Sequence, residues 1–232
     1  FDSAHFIYKT LLTKDELNKP FIAYIPGEKA FVHNASLWGA AWLAIVGKET
    51  QNIAFKNSAL EVAKRSMKEQ NLDGSWVYGA MPHHQFIDGF HTGYNLEALH
   101  IIRSSLSTDV FDDCIENGLS YYEKTFFTAD GIAKYYNKNQ YPLDMHSVSQ
   151  AIITLLKVAP TDKRIALAEK VIAKSFDTLL IPNENRFAYQ RTANQLNKIN
   201  YTRWTQAWVY YSFSYFQING TKTDNERNIV SK

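Results

Sequence analysis

This sequence of 232 residues has little of what several large classes of protein require. It contains one cysteine, Cys114, which excludes an intramolecular disulfide. No apolar run approaches the roughly 18 to 20 residues that a membrane-spanning helix needs, and the N-terminus has no signal-peptide pattern. The formal net charge is only +2, and the lysines and arginines are interspersed along the chain. We therefore expect no membrane span and no nucleic-acid partner.

The sequence also lacks the short motifs that mark common cofactor and metal sites. It has no phosphate-cradling glycine loop, no nucleophile elbow and no dinucleotide fingerprint. His83 and His84 are adjacent, but no third ligand follows at a spacing typical of zinc sites. We predict that the protein uses no cofactor and has no metal site.

The composition indicates one folded domain. The chain is 45% hydrophobic and 14% aromatic, which is enough for a sizeable core. We expect this domain to cover residues 1–218 and the polar, aperiodic tail 219–232 to be disordered. The chain begins at Phe1 partway through a repeat, so we expect it to be the C-terminal part of a longer protein. A lone cysteine suits a reducing compartment, and we expect a cytoplasmic location, with a periplasmic one left open.

A phrase of about 56 residues recurs along the chain: a helix, an aromatic turn, a polar loop and a second helix that opens on histidine or arginine. The residues at these openings, His33, His91, His146 and Arg203, are 58, 55 and 57 residues apart. A repeated helical hairpin cannot bury its apolar stripe alone, so neighbouring copies must stack. We therefore expect these four residues to meet at one end of the stacked hairpins.

Apolar residues at spacings of three and four predict eight helices. These candidates fall at 4–18, 34–47, 52–70, 91–105, 109–127, 146–158, 162–180 and 203–217. The helix from Asn52 has one apolar stripe, as an outer helix should, whereas those near Ala35, His91, His146 and Arg203 are apolar over most of their circumference and should be buried. The alternation predicts an all-α fold, an (α/α) toroid of about four helical hairpins with short aromatic turns between them. Such rings usually have six or seven hairpins, so missing sequence or a partner, such as a second copy in a homo-oligomer, would complete it.

Two stretches resemble known families. Residues 63–76, with Gln70 before Asp73 and Gly74 and with Trp76 after them, resemble the glutamine and tryptophan repeat of triterpene cyclases. In that repeat the glutamine ties helix ends together and the tryptophan packs on the next copy, so the resemblance implies a structural role for both residues. The acidic repeat of a protonating terpene cyclase is missing here.

The longer phrase at 73–99, which includes Ile87-Asp88-Gly89-Phe90-His91-Thr92-Gly93, is similar to a bacterial toroid family associated with surface-polysaccharide gene clusters. The wider clan includes sugar epimerases and uronate lyases. This resemblance implies an active site at the mouth formed by the inner helices, but a fold does not transfer a function.

Two Asp and His pairs at matched repeat positions are the candidate catalytic groups: Asp88 with His91, and Asp144 with His146. A carboxylate beside an imidazole orients it for general acid or base work near neutral pH, and free amides at a helix N-terminus favour an anionic ligand. The alternative is that both aspartates cap helices while the histidines bond buried carbonyls.

Seven further residues are candidates for substrate binding: Arg203, Tyr78, Tyr136, Trp76, Asn34, His33 and Tyr201. Arg203 would hold a carboxylate in bidentate fashion, although a salt bridge within the protein would explain it equally well. Tyr78 and Tyr136 would form aromatic walls for sugar rings, whereas Asn34 would equally serve as a helix cap.

These residues support three hypotheses. The first is an enzyme that modifies a sugar or uronic-acid polymer in bacterial surface-polysaccharide biosynthesis, by epimerase or lyase-type proton abstraction, with an oligosaccharide or uronic-acid-containing glycan as partner. Hydrolysis would instead need two carboxylic acids, for which Asp88 and Asp144 are the obvious pair. The second is a non-catalytic glycan-binding or assembly module. The third is a terpenoid-cyclase-like or protein-interaction toroid.

Overall fold

A computed structural model describes residues 2–220 of the chain. The helices are α1 (Asp2–Phe6), α2 (His33–Glu49), α3 (Ile53–Lys68), α4 (Gly89–Leu106), α5 (Asp112–Phe126), α6 (Met145–Lys157), α7 (Asp162–Leu179) and α8 (Ala207–Asn219). The strands are β1 (Leu12–Lys14), β2 (Pro20–Ile22), β3 (Leu143–Asp144), β4 (Leu180–Ile181), β5 (Arg186–Phe187), β6 (Gln190–Arg191) and β7 (Leu196–Asn197). Short π-helical turns cover Ile7–Leu11 and Thr202–Gln206, and 3-10 turns cover Pro82–His84 and Pro182–Glu184.

The repeat register is confirmed by where the helical segments begin. Helices α2, α4 and α6 start at His33, Gly89 and Met145, and the turn that leads into α8 starts at Thr202. The predicted first helix is wrong beyond Leu11, where the chain enters the β1–β2 hairpin. The Asp15 carboxylate accepts hydrogen bonds from the amides of Leu17 and Lys19, which gives the backbone an alternative to helical bonding.

The chain contains two compact units, Phe1–Glu123 and Lys124–Lys232. In the first, α2 packs on α3 and α4, and the β1–β2 hairpin packs on α2 and α3. In the second, α6 packs on α7 and α8 around an apolar core that includes Val148, Ile152 and Val171. The single domain at 1–218 stays a prediction, and residues 221–232 of the predicted tail lie outside the described residues; Asn219, at its start, ends α8.

The expected contrast between inner and outer helices holds for three of the four repeats. Residues 145–156 of α6 are all buried, whereas α3 and α7 bury one face. The prediction that the last inner helix is buried is wrong, because Ser212 is the only residue of α8 classed as buried and Tyr210 is 78% exposed. Helix α8 packs against α6, and its Phe213 contacts Phe176 of α7 and Phe187 of β5, while Tyr210 and Ile218 lie in solvent.

Each aromatic turn packs on the following outer helix, and the residue at the point of closest approach is a glycine with positive φ. Gly74 (φ 90°) and Gly131 (φ 92°) occupy equivalent positions in successive repeats. A Cβ on Gly74 would lie 2.3 Å from the Asn117 carbonyl oxygen, and one on Gly131 would lie 2.6 Å from that of Lys170. Both glycines are therefore required by backbone conformation and by close approach.

Candidate active site

The site around Asp88 and His91 is built by the start of α4. Asp88 has extended backbone angles (φ −129°, ψ 163°) and caps the helix, since its Oδ1 accepts a hydrogen bond of 2.8 Å from the His91 amide. Its Oδ2 lies 2.7 Å from His91 Nδ1. The Asp88 side chain is 1% exposed and the His91 side chain is 17% exposed. One carboxylate therefore both caps the helix and orients the imidazole, so the two sequence interpretations of Asp88 are compatible.

This contact defines which ring nitrogen of His91 is available for chemistry. A carboxylate accepts hydrogen bonds, so Nδ1 carries the proton and Nε2 of the neutral ring has a free lone pair. A buried carboxylate also stabilises the imidazolium that forms when Nε2 takes up a proton. The pair has the arrangement of an oriented general base, which can return the proton as a general acid.

Aromatic rings surround the His91 imidazole. Its centroid lies 4.5 Å from the ring of Tyr78, 4.0 Å from that of Phe90 and 6.2 Å from that of Tyr94. Tyr78 is held from behind, because it stacks on Phe86 at 5.0 Å and meets the edge of His84 at 4.9 Å. The site thus joins one polar pair to a wall of apolar faces, as small-molecule sites commonly do.

The electrostatic surroundings keep both tyrosines protonated. Burial raises the pKa of Tyr78, and Tyr24, Asp88 and Glu28 raise it further. Burial, followed by the charge of Glu97, raises the pKa of Tyr94 strongly. At neutral pH both phenols are therefore protonated, and the Tyr78 hydroxyl can act as a hydrogen-bond donor or general acid rather than as a base.

The second Asp and His pair lies at the start of α6 and differs in geometry. Asp144 Oδ1 accepts hydrogen bonds from the amides of His146 (2.8 Å) and Ser147 (3.1 Å), and its Oδ2 accepts one from Gln190 Nε2 (3.1 Å). The His146 ring packs against Trp204 at 4.2 Å and Trp208 at 4.6 Å. His146 is 1% exposed, so a substrate would reach it only after these tryptophans moved.

Three predicted substrate-binding residues lie inside the first unit. His33 is buried, its Nδ1 lies 3.0 Å from Ser66 Oγ, and burial, together with the charge of Arg65, lowers its pKa to about 3. Trp76 is buried and donates from Nε1 to the Ser66 carbonyl (2.9 Å). Asn34 lies within α2 and is buried, and the alternative that it caps this helix is wrong because α2 begins at His33. These placements favour packing roles.

The glutamine of the aromatic turn has the contacts that its resemblance implied. Gln70 Nε2 donates to the Gly74 carbonyl (3.0 Å) and to the Cys114 carbonyl (2.9 Å). It thus ties the end of α3 to the start of α5. Cys114 itself is a buried free thiol, and burial raises its pKa to about 12, so it stays in the inert thiol form.

The remaining candidates lie in the second unit. Tyr136 is half-buried beside Tyr135, with ring centroids 4.5 Å apart. Tyr201 is 43% exposed and meets the edge of Tyr189 at 4.9 Å. Arg203 is exposed and forms no ion pair with any described residue, so the salt-bridge alternative finds no support. The predicted meeting of His91 with His146 and Arg203, which belong to different units, stays a prediction.

Sequence reasoning missed several neighbours of the candidate groups. Tyr94 follows His91 by three residues on the same helix, so helical spacing was a usable signal for it. Gln190 contacts Asp144 across a separation of 46 residues, because β3 pairs with β6, and no local pattern indicates that contact.

Within residues 2–220, no group of three His, Cys, Asp or Glu side chains is placed to hold a metal ion, and no helix is long and apolar enough to cross a membrane.

No protein-family model matches the chain, and no curated protein matches it in sequence. Solved structures do match it. A sugar epimerase from a ruminal bacterium has a TM-score of 0.73 at 10% identity, with 97% of this chain and 64% of that one covered. An unsaturated glucuronyl hydrolase specific for heparin has a TM-score of 0.68 at 15% identity, with 95% of this chain and 68% of that one covered. A second unsaturated glucuronyl hydrolase, from Bacillus sp. GL1, is described as responsible for the degradation of glycosaminoglycan. It has a TM-score of 0.69 at 12% identity, with 94% of this chain and 66% of that one covered.

The chain thus spans about two thirds of the length of these proteins. Identities of this size carry information about the fold and not about the reaction. The likeness, together with eight helices arranged as hairpins in residues 2–220, establishes the fold class that the repeat predicted: the chain is an all-α protein with the (α/α)-toroid fold.

Proposed function

We propose that this protein is a carbohydrate-active enzyme that transfers a proton at a sugar or uronic-acid unit, with His91 as the base. The observation that carries the proposal is the contact of 2.7 Å between Asp88 Oδ2 and Nδ1 of a partly exposed imidazole. The structural neighbours include an epimerase and glucuronyl hydrolases, which supports a carbohydrate substrate. A role in bacterial surface-polysaccharide biosynthesis rests on the sequence resemblance alone.

The proposed reaction begins with removal of the C5 proton of a uronate by His91 Nε2. The electron pair released at C5 delocalises into the adjacent carboxylate. That Arg203 binds a substrate carboxylate stays a separate proposal for the second unit. Asp88 stabilises the imidazolium through Nδ1. In a lyase the electron pair then expels the oxygen at C4, and in an epimerase a proton returns to C5 from the opposite face.

Tyr78 is the proposed second proton-transfer group, because its ring lies 4.5 Å from that of His91 and its raised pKa keeps the hydroxyl protonated. Its phenol would donate the proton to the departing oxygen or to C5. Tyr136 and Tyr201 are proposed as further aromatic contacts for sugar rings. Asp144 and His146 stay proposed as a second proton-transfer pair, for which the first requirement is access past Trp204 and Trp208.

Hydrolysis is the second candidate reaction, since two of the matched structures are glucuronyl hydrolases on this fold. Asp88, whose Oδ2 lies 2.7 Å from His91 Nδ1, would be the proton-transferring carboxyl group of that reaction. Hydrolysis breaks a glycosidic bond with water and exchanges no C5 proton, so the products distinguish it from elimination and epimerisation.

The test uses uronate oligosaccharides, saturated and unsaturated, in deuterium oxide. Nuclear magnetic resonance detects deuterium at C5 and new reducing ends, and ultraviolet absorbance detects a double bond between C4 and C5. Wild-type protein is compared with His91→Ala and with His5→Ala, which removes an exposed histidine of the same unit. We expect deuterium incorporation or a new double bond with wild type and His5→Ala only.

Two results would contradict the proposal. New reducing ends without exchange or elimination would assign hydrolysis. Binding of the oligosaccharides without any chemical change, weakened equally by His91→Ala and Tyr78→Phe, would assign a non-catalytic glycan-binding module.

A further inference from the structure

A groove lies along α3, on the side where the β1–β2 hairpin packs. Its larger section is a cleft of about 620 Å³ with Lys14, Asn18 and Asn57 among its lining residues. A smaller section of about 230 Å³ extends toward Lys68. Both sections are lined by Pro20 and Glu61, so they are adjacent, and together we call them the α3 groove. The stretch of α3 from Asn57 to Lys68 has a length of about 16 Å.

Several side chains of the α3 groove have hydrogen-bonding capacity that the described protein does not use. The side chains of Asn18, Asn57 and Ser58 make no hydrogen bond within the described residues, while the Leu12 and Pro20 side chains provide apolar surface beside them. Neutral amides and hydroxyls next to apolar surface suit the alternating hydroxyl and C–H surfaces of a sugar ring.

The charges of the α3 groove favour an acidic ligand. Its central cations are neutralised, since Arg65 pairs with Asp15 and Glu69 and Lys64 pairs with Glu61. By contrast, Lys14, which lines the larger section, and Lys68, which lines the smaller one, form no ion pair with any residue in 2–220. Two unpaired ammonium groups in neighbouring sections of a groove whose central cations are paired match a polymer that carries carboxylates at intervals.

We propose that the α3 groove is a binding site for an acidic polysaccharide chain, separate from the Asp88–His91 site. The choice of an acidic glycan rests on the proposed function, because the groove would hold the polymer whose sugar units are processed at His91. No histidine lines the groove, and its carboxylates Glu61 and Glu69 are paired with Lys64 and Arg65, so we propose a role in binding and not in catalysis. It would raise the local concentration of polymer at the enzyme without affecting a short substrate.

The test measures binding of polygalacturonate to the full chain by affinity electrophoresis, with dextran as the neutral polymer. The variant Lys14→Glu/Lys68→Glu reverses both unpaired charges. Its matched control, Lys48→Glu/Lys124→Glu, makes the same change in net charge at two exposed lysines outside the groove. We expect binding to weaken at least about tenfold in the groove variant and to change little in the control, since a hydrogen bond to a charged group contributes about that factor.

A second variant tests the neutral part of the groove. Asn57→Ala/Ser58→Ala leaves the charge unchanged on an exposed helix face, so we expect weaker polymer binding whose salt dependence matches that of wild type. Equal binding by the groove variant and the control would overturn the proposal. Equally tight binding of single-stranded DNA, lost in the same variant, would overturn the assignment to a glycan and indicate a general anion site.

Different results would reject the α3 groove and the catalysis proposed for His91. Turnover of a short uronate oligosaccharide depends on His91 and should be the same in the Lys14→Glu/Lys68→Glu variant as in wild type. Loss of polymer binding in that variant, in a protein that turns over no oligosaccharide, would support the α3 groove and reject the proposed catalysis.

Discussion

The starts of α4 and α6 carry the same two residue types at matched positions of the repeat, yet the two histidine rings make different contacts. At α4, Asp88 and His91 are three residues apart and join through Oδ2 and Nδ1. At α6, Asp144 and His146 are two residues apart, and the His146 ring turns toward Trp204 and Trp208. One residue rotates a side chain by about 100° around a helix axis, so this shift alone changes which neighbours the imidazole meets.

The comparison teaches that equivalence in a repeat does not imply equivalence in function. Both aspartates cap their helices, which is the property that the fold requires of the position. Only His91 combines a carboxylate on one ring nitrogen with partial exposure of the side chain. We therefore assign the primary proposed role to His91, and four experiments test how far the two helix starts differ.

The largest expected effect separates His91 from His146 directly. His91→Ala should lower turnover of a uronate oligosaccharide by about 10² to 10⁴-fold, the usual contribution of an acid or base group, and should lower the free energy of unfolding by about 1–3 kcal/mol, because it leaves the buried Asp88 Oδ2 without its partner. His146→Ala should lower the free energy of unfolding by about 2–4 kcal/mol, because it leaves a cavity against two tryptophans, and should leave the turnover of the folded protein nearly unchanged. A His146→Ala protein of normal stability but without activity would reverse the assignment.

The next largest effect concerns the glycines of the aromatic turns, one in each unit, and compares how much stability each contributes. Gly74→Ala and Gly131→Ala should each destabilise the fold by about 1–3 kcal/mol, since a Cβ is strained at positive φ and meets a backbone carbonyl. Gly27→Ala is the control, because Gly27 also has positive φ but nothing lies within 4 Å of its Cβ position. Chemical denaturation measures all three, and equal losses would show that conformation alone, without close approach, sets the cost.

The third prediction concerns His33, the histidine that opens the first repeat. Its pKa falls from 6.5 to about 3 in the fold, so the unfolded chain binds a proton that the folded chain does not between these values. His33 therefore stabilises the fold fully above pH 6.5, and this contribution is lost as the pH falls toward 3. Lowering the pH from 7 to 5 should cost about 2 kcal/mol at this site.

Urea unfolding at both pH values measures this loss in wild type and in His33→Gln, which does not titrate. The difference between the two proteins should shrink by that amount at pH 5. An unchanged difference would mean that the His33 ring takes up its proton within the folded state.

The smallest expected effect compares the two carboxylates. Asn is as good a helix cap as Asp, so Asp88→Asn and Asp144→Asn should each keep their helix and change stability by less than about 1 kcal/mol. Asp88→Asn should lower the turnover number by about tenfold or more at nearly constant KM, since it removes the charge that stabilises the His91 imidazolium. Asp144→Asn serves as the matched control, and an equal loss of turnover in it would place both pairs in the reaction.

Local parts of the site were predictable from the chain, and distant parts were not. The Asp88–His91 contact follows from a cap residue and a histidine three positions later, a geometry that any helix start of this kind allows. The helix-tying contacts of Gln70 were implied by the resemblance of its turn to the triterpene-cyclase repeat. By contrast, the burial of His33 against Ser66 depends on how α2 packs on α3, and the prediction of an accessible residue there has no support in the structure.

The sequence by itself determined the hairpin register, the helix starts and the Asp88–His91 pair, because caps, positive-φ turns and residues three apart interact within one or two helical turns. Only the tertiary structure decided which histidine stays partly exposed, which tyrosine lies beside it and which charges along α3 are left unpaired. Those properties depend on contacts between residues far apart in sequence, such as Tyr78 with His91 or Arg65 with Asp15, and the packing of one helix on another selects them.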